Sequence, residues 1–192
     1  MLFRSYKISR TEEERIQDIK DVLDLHLTKS ELEKYYYTKE KYPNYFMTEN
    51  EYLSLAEENR REHRVNIDEE IVDKYEFYQV RRGMYVRKNQ NGVCPTLTAN
   101  MGTGGHNVPI IKVNDGVRKL TPSETFKLQG FPIGPNYKLP THYMGRLYSD
   151  GRLYKQAGNA VSVDVITLIA EEILKAFDNV TEAIEEEMAN IC

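Results

Sequence analysis

An α+β fold is predicted for this chain: a small domain of twisted β segments and short helices, a mainly helical N-terminal segment before it, and one C-terminal helix after it. Three observations predict it. The apolar period changes from helical to alternating near residue 70, clusters of turn-forming residues then break the chain into short β segments, and the charge balance changes sign at about the same place. Residues 71–160 hold 13 Lys/Arg against 5 Asp/Glu, whereas the remainder holds 13 against 25, so the net charge of −4 conceals a basic middle in an acidic chain. Such segregation points to a localised surface for a polyanion, with a chance asymmetry of solvated charges as the alternative.

Residues 1–70 carry two helix starts. Thr11 with Glu14 and Thr48 with Glu51 are capping-box pairs, followed by Ile16, Ile19, Val22 and Leu23 in one case and Tyr52, Leu53, Leu55 and Ala56 in the other. Between them EKYYYTKEKYPNY reads as a packed aromatic connector with snorkelling lysines, or as a stacking platform for nucleic-acid bases. In residues 71–160, YEFYQV, MYVRK, PTLTA and VPIIKV are β segments, with NQNG and GTGG as turns. A short helix follows, capped by Thr121, opened by Pro122, boxed by Glu124 and ended by Gly130. Residues 161–178 form the last helix, with Ile166, Ile169, Ala170, Ile173 and Phe177 on one stripe, and 179–192 are an acidic, solvated tail.

The composition excludes several classes. No run reaches the ~18 apolar residues of a membrane span, and Met1–Arg10 lacks the apolar stretch of a secretory signal, so a cytoplasmic chain with no membrane partner is expected. Cys94 and Cys192 imply no disulfide framework, and His26, His63, His106 and His142 have no ligand spacing, so no metal is expected.

The segment KQAGNA at 155–160 is harder to place. Gly and Asn, poor helix formers, stand with Gln directly before a strongly apolar helical run, which Ser162 alone could cap. RKLTPSETFKLQGFP at 118–132 followed by YKQAGNAVSVDVI at 154–166 resembles the last two motifs of the DNA cytosine-5 methyltransferases. Arg118, Leu120, Pro122, Glu124, Gln129, Gly130, Phe131 and Pro132 match the first; Gln156, Gly158, Asn159 and Val161 match the second, with Ala160 where that family usually has Ser. NGVCPTLTANMGTGG resembles the family's target-recognition region, in which a Thr-Leu pair recurs.

The resemblance implies a target-recognition domain at 71–160 and a C-terminal helix that packs on a separate catalytic domain. It implies Asn159, Ala160 and Val161 beside S-adenosyl-L-methionine, with Gly158 permitting a close backbone approach. The family's chemistry needs a Pro-Cys-Gln nucleophile and a Glu-Asn-Val acid, and neither motif occurs in these 192 residues. Cys94 precedes a proline within a β segment and is read as a structural thiol, so no catalytic residue is expected here. The chain accordingly resembles the C-terminal part of such an enzyme, like the small subunit of a split enzyme, with MLFRSYKISR as its entry and a catalytic subunit as partner. Duplex DNA is the expected ligand, in a restriction-modification setting, with self-association when isolated. Arg81, Arg82, Arg87 and Lys88 are the expected phosphate contacts. Thr96, Thr98, Asn100, Thr103 and His106, with Asn107, line loops suited to phosphates or base edges; an ordinary polar loop surface is the alternative. A non-catalytic DNA-binding or regulatory protein, and an RNA methyltransferase fragment, stay open as functions.

Overall fold

The computed structural model describes residues 11–60, 64–81, 85–89, 92–103 and 107–191. It combines helices with antiparallel strands, as the α+β prediction requires. Two compact units result, Met1–Ala160 and Val161–Cys192. The break expected near residue 70 therefore lies inside the first unit.

The first unit is built on a four-stranded antiparallel sheet of β1 (Phe77–Arg81), β2 (Tyr85–Lys88), β3 (Ile110–Val113) and β4 (Gly116–Lys119), in the order β2-β1-β3-β4. Because side chains alternate along a strand, the register sorts them cleanly. Phe77 pairs with Ile111 and Gln79 with Arg87 on one face; Tyr78 pairs with Ile110 and Val80 with Val86 on the other. Both faces are covered. Phe77, Ile111 and Val113 join the larger core with Ile19, Val22 and Leu23, while Tyr78, Val80 and Ile110 join a second core with Tyr45, Val65, Ile67 and Ile71.

The N-terminal segment thus supplies lids for both faces of the sheet. Its helices are α1 (Glu12–Val22), α2 (Glu49–Ser54) and the single turn α3 (Ile67–Glu70), joined by 3₁₀ turns. Both expected capping boxes form: Thr11 and Thr48 accept from the N–H groups of Glu14 and Glu51, whose carboxylates return to the cap N–H. The aromatic connector is packed, with Tyr35, Tyr36 and Tyr45 buried and the Tyr37 and Tyr42 ring centroids 4.6 Å apart. Buried rings cannot serve as a stacking platform.

Further along, β4 was not anticipated, although Asp115-Gly116 between two apolar runs is a hairpin signal. PTLTA, expected as a strand, instead runs into a 3₁₀ turn, Ala99–Gly102. Helix α4 (Pro122–Leu128) has the predicted Thr121/Glu124 box, and Gly130 takes a left-handed φ of 86° just past its end. A two-stranded hairpin, β5 (His142–Tyr143) and β6 (Arg146–Leu147), precedes α5 (Asp150–Asn159).

The second unit holds α6 (Val163–Ile191). It runs past the expected end at 178 and takes in the segment read as a solvated tail, because Val180 and Ile184 continue the stripe of Ile166, Ile169, Ile173 and Phe177. The Ser162 carbonyl accepts from the Ile166 N–H, whereas its hydroxyl, the expected cap, has no partner among the described residues.

Candidate nucleic-acid interface

A buried charge pair fixes the polypeptide between sheet and site. Arg118 and Glu124 are 1% and 0% exposed and meet in a two-pronged contact, with guanidinium nitrogens 2.8 and 2.6 Å from the carboxylate oxygens. The same carboxylate accepts from the backbone N–H groups of Asp24 (2.8 Å) and Thr121 (2.7 Å). Burial works against the Arg118 charge, but Glu124's hydrogen bonds and charge outweigh it and hold the guanidinium pKa above its usual value. Asp24 in turn accepts from the Thr121 hydroxyl and from Lys127. The first motif is thus the joint between β4, α4 and the end of α1.

From the residues flanking α4, two bonds join α5. The Gln129 amide donates to the Ala157 carbonyl at 3.1 Å, and the Tyr154 hydroxyl donates to the Leu120 carbonyl at 2.6 Å. Burial raises the Tyr154 pKa, so that hydroxyl stays a donor. KQAGN is therefore the last turn of α5, with Ala160 as its C-cap, and is not a loop.

Helix α5 is seated on the turn that follows the Thr-Leu pair. A Cβ on Gly158 would stand 2.1 Å from the Thr98 carbonyl carbon and 2.3 Å from the Ala99 nitrogen, and one on Gly102 would stand 2.3 Å from the Gly151 oxygen. Only glycine fits at 158 because backbone meets backbone there. The close approach expected of Gly158 toward a cofactor is made here with residues 98–99.

The expected contact residues fall into two groups. On the seated turn, Asn100 and Thr103 are exposed, as is Thr96 just before it, while Thr98 is partly buried; the Thr103 hydroxyl donates to the Asn100 carbonyl at 2.9 Å. Asn107 ends the same loop, and its carbonyl accepts from Gln79 at 3.1 Å. The second group, on β1 and β2, is split by strand alternation: Arg81 and Arg87 share the Gln79 face, whereas Lys88 lies on the opposite face. There Lys88 pairs with Asp73 at 2.9 Å, which raises the lysine pKa through that hydrogen bond. Arg82 and His106 lie outside the described residues, as do the last two residues of GTGG and the centre of NQNG. Asn159 is exposed at the end of α5, its amide without a partner among the described residues; Ala160 is partly buried and Val161 exposed.

Cys94 packs its thiol against the larger core, although the residue keeps some exposed surface, and burial pushes its pKa well up. A thiol held neutral is a poor nucleophile. Among the described residues no group of three His, Cys, Asp or Glu could hold a metal, and no helix is long and apolar enough to cross a membrane.

Sequence reasoning missed what surrounds Gln156. Its amide donates to the Tyr148 hydroxyl at 2.6 Å, and the Tyr148 ring packs edge-on to Tyr143, with centroids 6.3 Å apart. The signal for the hairpin was Gly145 inside THYMGRLY, where aromatic and aliphatic residues flank a single glycine.

The family model described as C-5 cytosine-specific DNA methylase matches residues 3–175. The chain is 52% identical over 113 residues to the Type II methyltransferase M.Bsp6I of Bacillus sp. (strain RFL6), which covers 57% of this chain and 32% of that protein. It is 37% identical over 84 residues to M.SsoII of Shigella sonnei, covering 44% and 20% respectively, and 35% identical over 130 residues to M.DsaV of Dactylococcopsis salina, covering 58% and 34%. The chain thus spans about a third or less of the length of these curated relatives. No solved structure matches it significantly.

Proposed function

The chain belongs to the C-5 cytosine-specific DNA methylase family, and from that premise we propose that these 192 residues are the target-recognition part of a DNA (cytosine-5) methyltransferase. They bind duplex DNA at a specific site, and methyl transfer to C5 of cytosine is completed by a partner chain carrying the Pro-Cys-Gln and Glu-Asn-Val motifs. The observation that carries this reading is the seating of the Thr-Leu turn on α5: Gly158 and Gly102 lock Asn100 and Thr103, the base readers of this reading, to the helix that ends in Asn159. Reading of DNA and support of the cofactor are thereby joined by rigid backbone.

The residues fit a share in S-adenosylmethionine binding. Asn159 offers a free donor and acceptor at an exposed helix end, suited to the amino and carboxylate groups of a methionine moiety. With Ala160 in place of the usual Ser, that contact has only backbone to use. The bound cofactor supplies the electrophilic methyl; this chain orients it and holds the DNA. Arg81 and Arg87 supply phosphate affinity, and α6 presents its apolar stripe to the catalytic partner.

The test is co-expression with a catalytic chain of the family, followed by methylation of duplexes of varied sequence. Exchanging residues 92–107 for the corresponding segment of a relative with another target should move the methylated sequence to that target. Methylation that keeps its target after the exchange would remove the recognition role from this chain.

A further inference from the structure

Between α4 and α6 the sequence is almost free of acids. From residue 125 to residue 163 the only carboxylate is Asp150, and it is neutralised by Lys34 at 2.7 Å and by the Tyr35 hydroxyl at 3.0 Å. Arg146, Arg152 and Lys155 are exposed in this stretch and have no acidic partner among the described residues. Out of it rises the β5–β6 hairpin, whose turn residues Met144 and Gly145 both have positive φ, 50° and 74°. That is the twist of a two-residue type I′ turn, which Asn-Gly fills without strain and Met does not. Met144 is 84% exposed and Leu147 is 77% exposed. A large apolar side chain is held in an unfavourable backbone conformation at a fully accessible tip.

The hairpin is braced. Tyr148 packs on Tyr143, lies under the Arg152 guanidinium at 5.9 Å and accepts from Gln156, so hairpin and α5 are tied together. Helix α5 is the element on which the Thr-Leu turn sits, and Lys155 lies beside Gly102 there. The hairpin therefore continues the surface already assigned to DNA.

We propose that the β5–β6 hairpin is a second duplex-DNA contact, in which Met144 and Leu147 form an apolar wedge against sugars and base edges while Arg146 and Arg152 take the flanking phosphates. An exposed apolar tip flanked by cations without acidic partners matches a duplex, where an apolar side chain can wedge against the stacked bases while cations take the anionic backbones on either side. The inference rests on the recognition reading above.

Binding of the full chain to a labelled duplex, followed by anisotropy across a salt titration, tests it. Met144→Asn creates the Asn-Gly pair the turn prefers, so the hairpin is kept while the wedge is lost; affinity should fall roughly four- to tenfold. Arg146→Ala should reduce the log–log salt slope by about 0.9. Wild-type affinity and slope in both variants, with Arg87→Ala still flattening the slope, would overturn the hairpin contact and leave the recognition reading standing. Unchanged DNA binding with weakened complementation by a catalytic chain would place the hairpin against protein and overturn it equally. A wild-type chain that binds no duplex would remove the recognition reading, and the hairpin contact with it.

Discussion

At the residue scale, two positions carry opposite lessons about what a side chain costs. Replacing Gly158 with Ala inside a helix would ordinarily help by about 0.8–1 kcal/mol. Here the new Cβ meets the backbone of Thr98 and Ala99, which cannot swing aside. Overpacking of about 1–3 kcal/mol wins, so Gly158→Ala should lower the urea midpoint, whereas Gly134→Ala, with nothing within 4 Å of the new carbon, should not. Glu124 is the reverse case. Glu124→Ala strands Arg118 and should cost about 3–5 kcal/mol. Adding Arg118→Met cannot recover all of it, since the Asp24 and Thr121 N–H groups stay orphaned. The capping partner of Glu124 was legible in the sequence, three residues away; its bond to Asp24, a hundred residues away, had no local signal. Cys94 makes a third case. Its raised pKa keeps the thiol protonated, so alkylation at mildly alkaline pH should be slow in the native chain and fast in urea. The stability tied to it is full below the unfolded thiol's pKa of about 8.5 and is lost as pH rises beyond it.

At the element scale, caps and alternation were the readable signals. Thr11, Thr48 and Thr121 each start a helix because a hydroxyl and a carboxylate three residues apart satisfy N–H groups the helix leaves open. The last turn of α5 was hard to place because Gly158 and Asn159 argue against helix, while packing on the 98–102 turn holds it there. The split of Arg87 from Lys88 was in the sequence, since neighbours on a strand face opposite ways, but only the register shows which faces Gln79. Helix α6 went beyond its expected end because its stripe does: Ile166, Ile169, Ile173, Phe177, Val180 and Ile184 are all exposed. Each such side chain yields ~1.5–3 kcal/mol when fully buried. The isolated chain should therefore self-associate, as seen by sedimentation, and Ile169→Asp should relieve this while abolishing complementation by a catalytic chain. An Ile169→Asp chain that still assembled a fully active complex would free α6 of the docking role.

At the scale of the whole molecule, charge is segregated between a basic middle and an acidic α6. Residues 163–191 hold eight acids and one base, a poor surface for a polyanion, while residues 71–160 carry the balance of +8. Binding to duplex DNA should weaken steeply with salt, and Arg87→Ala should flatten that dependence by about 0.9 in log–log slope without changing target preference. In the proposed function, recognition is on this chain and the attacking thiolate is on its partner. The most direct measurement is methyl transfer from labelled S-adenosylmethionine to duplex DNA by this chain alone, by a catalytic chain alone and by the two together, each with wild-type and Cys94→Ser protein. No transfer is expected from this chain alone, and transfer by the pair should be indifferent to Cys94→Ser. Transfer by this chain alone that disappears in Cys94→Ser would contradict the proposed function.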